Sequence, residues 1–420
     1  MTKPLFKVST PQEVIMMLKD NLNLEEIVRS NIEVVNIKTA LHRILAEKIF
    51  ASSNLPGFNR STMDGYAIRA EDSFGANESL PSYLKIMGEI KMGVRPDFKI
   101  KLGEAAKIST GGMLPEGANA VMMLEYTEQI DDSVLEVRKP ISPWENVVRE
   151  DEDLKTGEII LGKGHRLRPQ DIGVLAGIGK TNIKIYRKPK IAIISTGNEI
   201  IPAEEKPLIG QVRDINSYTL GACIEEAGGI PVYRGIVKDE INLLEQNIRE
   251  TIKKDKVEAV IISGGSSVGA RDITLEVLNK LGKPGVLIHG VSVKPGKPTI
   301  LAIVDNRPIF GLPGHPVSAM VIFDLFLRPL ISWLQGRDYN YNFDSRKELE
   351  AELTCNVLSD SGREDYIRVF VYEKDKKFYA EPILGKSGLI STMVRASGLI
   401  KIGVNIEGLE KGRKVMVKLF

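Results

Sequence analysis

The chain is poor in the residues that mark several special classes of protein. Only two cysteines, Cys223 and Cys355, occur in 420 residues. They lie far apart without CxxC spacing, which excludes a disulfide framework and a cysteine zinc site. The four histidines, His42, His165, His289 and His315, form no HxxxH pair, so a histidine metal site is not expected. Net charge is +2, which lacks the basic field of a dedicated nucleic-acid binder. Long uninterrupted apolar runs are missing too. The most apolar stretch, PVSAMVIFDLFLRPLISWL, is broken by Asp324, Arg328 and Pro329, which predicts a buried core helix and not a membrane span. The N-terminal MTKPLFKVSTPQEVIMML has no apolar stretch ending in a small-residue cleavage site, so a cytoplasmic protein is expected. No internal repeat and no low-complexity segment is present.

What is there is a globular chain of about three domains' length. Thr10-Pro11 offers a helix start, and a helical pattern runs from residue 10 to 30. A second helix-like piece, KTALHRILAEKIF, follows and contains His42. From about residue 55 to 188 the texture becomes β-like, with YLKIMGEI, EAAKIST, GANAVMMLE and SVLEVRKP separated by glycine and proline. From Lys190 apolar strands alternate with helical windows, the pattern of a parallel sheet covered on both faces. The last 75 or so residues return to β texture. There, YIRVFVYEKDKKFYAEPIL reads as a hairpin with a charged turn.

In open parallel α/β sheets, ligands sit at the carboxyl ends of the strands. Each strand between residues 190 and 335 is followed by an unusual loop. These are Thr196-Gly197-Asn198-Glu199, Lys238-Asp239, Ser263-Gly264-Gly265-Ser266-Ser267 leading to Asp272, Lys294-Pro295-Gly296-Lys297, and Pro313-Gly314-His315-Pro316. Taken singly, each is compatible with a plain turn, and Asp272 or Asp239 with a helix cap. Taken together, they supply backbone N–H groups for anionic oxygens, lysines for phosphate, and three acids. Acids crowded at one edge suit a divalent cation, with magnesium preferred near phosphate. The residues alone therefore predict a phosphorylated small ligand and a metal ion.

The motifs ISTGNEI, Asp214-Ile-Asn-Ser-Tyr, ISGGSSVGARD, VKPGKP and GLPGHPVSA resemble the molybdopterin-binding domain of molybdenum cofactor biosynthesis proteins. LPGFNRSTMDGYAIRAED, ISTGGMLPEGANAVMMLE and GHRLRPQDIGVLAGIGKTNIKIYRKPKIAIISTGNEI are similar to the metal insertases of that pathway, and the C-terminal segment resembles their last domain. The resemblance implies a multidomain α/β plus β protein. Its parts would be an elongated, β-rich N-terminal region over 1–187, a central doubly wound, mostly parallel α/β domain over 188–337, and a C-terminal β-barrel-like domain over 345–420.

It also implies an activity: insertion of molybdate, or tungstate, into adenylylated molybdopterin with release of AMP, assisted by Mg2+. By position, Asp64, Glu199, Asp239 and Asp272 resemble the catalytic acids, the last three also as metal ligands. Thr110, Thr196, Gly197, Ser263, Gly264, Gly265, Ser266, Ser267, Lys294, Lys297, Pro313, Gly314, Arg368 and Ser387 resemble ligand-binding positions, and Asp153 a further one. His315 stands where the family has asparagine, the turn before Asp153 reads Arg149-Glu150-Asp151-Glu152 instead of the usual arginine-rich glycine turn, and Gly290 stands where some members carry lysine. A homodimer is implied, in which the Asp64 segment completes the partner subunit's pocket, with molybdopterin adenylyltransferase as pathway partner and no nucleic-acid or membrane partner. Molybdopterin adenylylation and a non-catalytic scaffold are the alternatives.

Overall fold

A computed structural model describes residues 8–264, 268–337 and 347–420, with the side chains of 268–272 left out. The chain forms two compact units, one of Met1–Glu33 with Tyr186–Phe420 and one of Val34–Ile185.

The first unit is built on a six-stranded sheet of β1 (Lys190–Thr196), β2 (Ile230–Val237), β3 (Ala259–Gly264), β4 (Pro284–His289), β5 (Ile300–Val304) and β6 (Arg307–Leu312), in the order 2-1-3-6-5-4. Strands β2, β1, β3 and β6 are parallel. β5 runs against both β6 and β4, so β4 again points the same way as the parallel set. The reversal is local in origin: Asp305 and Asn306, at φ 50° and 59°, make the two-residue turn that a tight antiparallel hairpin demands. β1, β3 and β5 are almost continuously buried, as expected for strands covered on both faces. Helices Asn216–Glu226, Ile241–Lys254 and Val268–Leu281 provide crossovers.

Helix Pro11–Asn21 starts where Thr10 predicts, with a capping box: the Glu13 N–H donates to Thr10 Oγ1 at 3.2 Å and the Thr10 N–H to Glu13 Oε2 at 2.7 Å. Its Val14, Ile15 and Leu18 join the core that also holds Ile191, Phe310 and Phe326. The apolar stretch Pro316–Leu334 is the one described helix long and apolar enough to span a membrane, yet 72% of that window is buried inside the protein. Arg328 within it meets Asp324 at 2.9 Å and Glu226 at 2.7 Å. Burial pushes this guanidinium down, and the two carboxylates more than reverse the effect.

The same unit carries a closed barrel of β7 (Glu348–Leu353), β8 (Glu364–Lys374), β9 (Lys377–Pro382), β10 (Gly398–Ile402) and β11 (Lys414–Leu419), each strand hydrogen-bonded to the next around the ring 8-9-7-11-10 and back to 8. Closure removes exposed strand edges, and Ala351, Leu353, Val369, Ala380, Ile400 and Val417 fill the interior.

The second unit contains a sheet of Ala120–Met123, Gly65–Ile68, Glu104–Ile108, Ser82–Glu89, Val134–Val137 and Thr127–Gln129, in that order. The expected helix over KTALHRILAEKIF does not form. Only Ile37–Thr39 makes a short 3-10 turn, His42 takes φ 63°, and Ile44 and Leu45 bridge to Arg166 and Ile185. Pairing buries Ile44, Leu45 and Ile49, a gain that overrides the weak local helical preference.

Candidate functional site

Register decides what meets at the carboxyl edge of the central sheet. Thr196 pairs with Gly264 and with Val237, and Ser263 pairs with Leu312. The loops after β1, β2, β3 and β6 therefore leave from one line. Thr196, Ser263 and Pro313 are buried; Gly197 and Gly264 take positive φ of 152° and 142°, a backbone conformation that favours glycine. A Cβ on Gly264 would lie 1.9 Å from the Thr196 carbonyl oxygen, so glycine is the residue that lets the two strand ends run this close. Asn216, at the start of helix Asn216–Glu226, ties the loops together: its Nδ2 donates to Ser263 Oγ at 2.8 Å and to the Gly314 carbonyl at 2.9 Å. Its buried Oδ1 accepts no hydrogen bond among the described residues. Asp214, also buried, accepts from Ser195 Oγ at 2.7 Å and from the Ser217 N–H at 3.0 Å.

The acids divide. Glu199 is exposed and Asp239 half-buried. The Asp239 N–H donates to Asn198 Oδ1 at 3.3 Å, which couples the two loops. Burial first, and the Glu199 charge second, push the Asp239 carboxyl above its ordinary value. Asp239 precedes its helix by two residues, Glu240 being the cap. Asp272 does not open its helix either, because Val268–Leu281 begins four residues earlier; the capping role expected for it is overturned. The side chain of Asp272, and Gly265, Ser266 and Ser267, lie outside the described residues. Among the described residues no three His, Cys, Asp or Glu side chains gather as a metal site.

Lys294 corrects another expectation. Val293–Lys294 does not end a strand of the central sheet; it pairs in parallel with Glu364–Asp365 of β8. The barrel thus fixes this lysine, on the segment that follows the carboxyl end of β4. Its Nζ is 3.8 Å from Asp365 Oδ2. Lys297 is exposed, and its carbonyl accepts from the Val291 and Thr299 N–H groups, each at 2.9 Å.

The barrel reaches the β6 loop as well. His315 Nδ1 is 2.8 Å from Ser387 Oγ, and the Val317 N–H donates to the Ser387 carbonyl at 3.2 Å. Arg368 of β8 supports that segment from beneath, donating to the Gly385 carbonyl and to Thr392 Oγ1, both at 2.8 Å. Arg368 is only 9% exposed, its Nε has no hydrogen-bond partner among the described residues, and burial lowers its proton affinity. Such a guanidinium is a strong candidate for an anionic ligand.

In the second unit, Asp64 and Thr110 form their own corner. The Thr110 N–H donates to Asp64 Oδ1 at 2.7 Å and its hydroxyl to the same oxygen at 3.1 Å; both residues are exposed. Register explains the meeting, since Gly65 pairs with Ile108 and each site residue lies just beyond its strand. A Cβ on Gly65 would stand 1.9 Å from the Met122 carbonyl oxygen, which accounts for the Asp-Gly pair. Asp153 is exposed, on a turn whose backbone pairs with Leu55. His165 proves structural: its Nε2 is 2.6 Å from the buried Asp171.

Asp365 is the site-building residue that sequence reasoning missed; Asp214 and Asn216 stand in the Asp214-Ile-Asn-Ser-Tyr motif, with no role assigned to either from sequence. The signal for Asp365 was available, in two adjacent acids opening a strand whose next residues, Tyr366 to Tyr372, are apolar or aromatic except for Arg368.

Three family models match in succession: the MoeA N-terminal region (domain I and II) over residues 10–179, a "Probable molybdopterin binding domain" over 192–333, and the MoeA C-terminal region (domain IV) over 350–420. A molybdopterin molybdenumtransferase of Bacillus subtilis is 32% identical over 392 residues, covering 92% of this chain and 89% of its own length. One from a Nostoc species is 31% identical over 419 residues, covering 99% of this chain and 94% of its own. The solved structure of a molybdopterin biosynthesis MoeA protein from Pyrococcus horikoshii aligns with TM-score 0.83 at 36% identity, covering 98% of this chain and 99% of that one.

Proposed function

Because the chain belongs to the molybdopterin molybdenumtransferase family, an enzyme family of molybdenum cofactor biosynthesis, we propose that it inserts molybdate or tungstate into adenylylated molybdopterin and releases AMP. The observation that carries this reading is the shared strand edge. The register of β1, β3 and β6 gathers hydroxyl, amide and glycine backbone groups where a phosphorylated pterin and an oxyanion need donors.

Lys294 and Lys297 supply positive charge to the phosphates and the oxyanion. Arg368 and Ser387 hold the barrel side of the same ligand. Holding two anions and a leaving adenylate together is most of what this chemistry requires. Glu199 and Asp239 fit a hard divalent cation, since burial first and the Glu199 charge second already disfavour the ionised Asp239 carboxylate. Two carboxylates, with Asp272 as a third acid, suit magnesium, which keeps several waters and takes phosphate oxygens as ligands. Bound there, the cation would screen the pyrophosphate that is to be cleaved.

The working unit in this reading is a cytoplasmic homodimer, in which Asp64 with Thr110 serves the pocket of the partner subunit and molybdopterin adenylyltransferase delivers the substrate. The match to the MoeA N-terminal region speaks against adenylylation as this chain's own activity. Reconstitution with adenylylated molybdopterin and each oxyanion, following AMP release and metal retained on the pterin, tests the reading. AMP release without metal incorporation would overturn it.

A further inference from the structure

We propose that Asp365 is a positioning residue that sets the Lys294 ammonium for the anionic substrate. The inference rests on the reading of Lys294 as a contact for those anions, and it assigns the C-terminal barrel a share in the site.

Asp365 is fully buried at the start of β8. Arg363 Nε donates to its Oδ1 at 2.8 Å. Its Oδ2 is buried, accepts no hydrogen bond among the described residues, and faces the Lys294 ammonium at 3.8 Å. A carboxylate in the interior is costly unless charges offset it; Arg363 does so at Oδ1, and Lys294 is the cation that faces Oδ2. The neighbouring acid shows that the arrangement is selective. Glu364 is equally buried, yet it accepts from Tyr366 Oη at 2.6 Å and meets Lys401 at 2.6 Å, so its charge is fully engaged.

The backbone adds a second restraint. Lys294 pairs with Asp365 in register, and the Glu364 N–H donates to the Ser292 carbonyl at 2.9 Å. The base of the lysine side chain is therefore fixed by the barrel, while the side chain itself is 56% exposed. A separation of 3.8 Å lies beyond hydrogen-bond range. The carboxylate attracts the ammonium without taking up its N–H groups, leaving three donors for a ligand. A long, flexible cation is thereby confined before substrate arrives, which lowers the ordering cost of binding.

The test is a double-mutant cycle on the full chain, with AMP release from adenylylated molybdopterin and molybdate as readout. Asp365→Asn is expected to raise KM for the pterin about fivefold while kcat stays within about twofold. In a Lys294→Ala background the same substitution should add nothing, because the residue acts through the lysine. Equal loss in both backgrounds would overturn the inference and leave the lysine's role standing. Full activity in Lys294→Ala would overturn the lysine's role and the inference with it. If Asp365→Asn does not fold, Arg363→Gln loosens the same carboxylate from a partly exposed position, and the same non-additivity with Lys294→Ala is expected.

Discussion

The carboxylates of the two units make an instructive pair of opposites. In Val34–Ile185 the buried acid is Asp171. It accepts from the Arg168 backbone N–H at 2.8 Å and from the Arg168 guanidinium at 3.0 and 3.1 Å, and His165 lies at 2.6 Å. Burial pushes its carboxyl up, but these partners outweigh that and hold it at about 2. In the unit that carries the central sheet, Asp239 is pushed up, by burial first and by the Glu199 charge second. The contrast separates acids that the fold has satisfied from acids that it has left wanting a cation. Unsatisfied charge at a strand edge is the physical signature of a site, whereas a saturated acid is scaffolding. Asp64 lies between the two: exposed, oriented by Thr110 through two hydrogen bonds to one oxygen, with a carboxylate still open to a ligand.

Substituting Asp64 is the largest test of that distinction. Asp64→Ala should reduce AMP release by about a hundredfold or more, as for a group acting on the reacting centre, with the melting temperature unchanged because the side chain is exposed. Thermal melting beside the AMP assay checks both halves. A modest activity loss with a clear drop in melting temperature would return Asp64 to the scaffolding class.

Asp171→Ala should do the reverse, costing about 2 kcal/mol of stability at neutral pH with kcat of the folded fraction unchanged. The sign follows from the lowered carboxyl. Its contribution is complete above the ordinary value of 3.8 and is lost as pH falls through about 2. Urea unfolding at neutral pH and at pH near 2 should therefore show a wild-type advantage that shrinks in acid.

Asp239→Asn sharpens the comparison from the other side. A raised carboxyl contributes stability below the ordinary carboxylate range and loses it as pH rises through the raised value. At neutral pH the ionised Asp239 is a cost, so the amide should raise the melting temperature while activity falls about tenfold. Added magnesium should raise the melting temperature of the wild type more than that of the variant.

Much of this was legible in the sequence, for reasons that can be named. Thr10-Pro11, the buried runs of β1 and β3, and the hairpin around Asp375 and Lys376, both at positive φ, are local patterns with local causes. KTALHRILAEKIF misled because its periodicity is helical while its partners, Arg166 and Ile185, are distant in sequence. The same limit hid the role of β8. Nothing near VKPGKP says that Lys294 pairs with Asp365, and nothing near Ser387 says that it meets His315. Glycine-rich loops announce themselves, but the side chain that crosses from a barrel to a sheet does not.

The smallest expected effect concerns that crossing. His315 heads helix Pro316–Ile322 without capping it through its side chain, and its described side-chain hydrogen bond is the one with Ser387. It is exposed, so one hydrogen bond is at stake and water can replace the lost partner. The loop is also held by the Val317 N–H to the Ser387 carbonyl and by Arg368 to the Gly385 carbonyl, neither of which needs the imidazole. His315→Ala should therefore change AMP release by less than about threefold, and the melting temperature hardly at all. Arg368→Met, which removes the buried support itself, should exceed it on both measures. If His315→Ala instead approaches the loss seen for Asp64→Ala, the imidazole meets the substrate directly, and an exposed, singly bonded side chain belongs with the unsatisfied acids on the functional side of the divide.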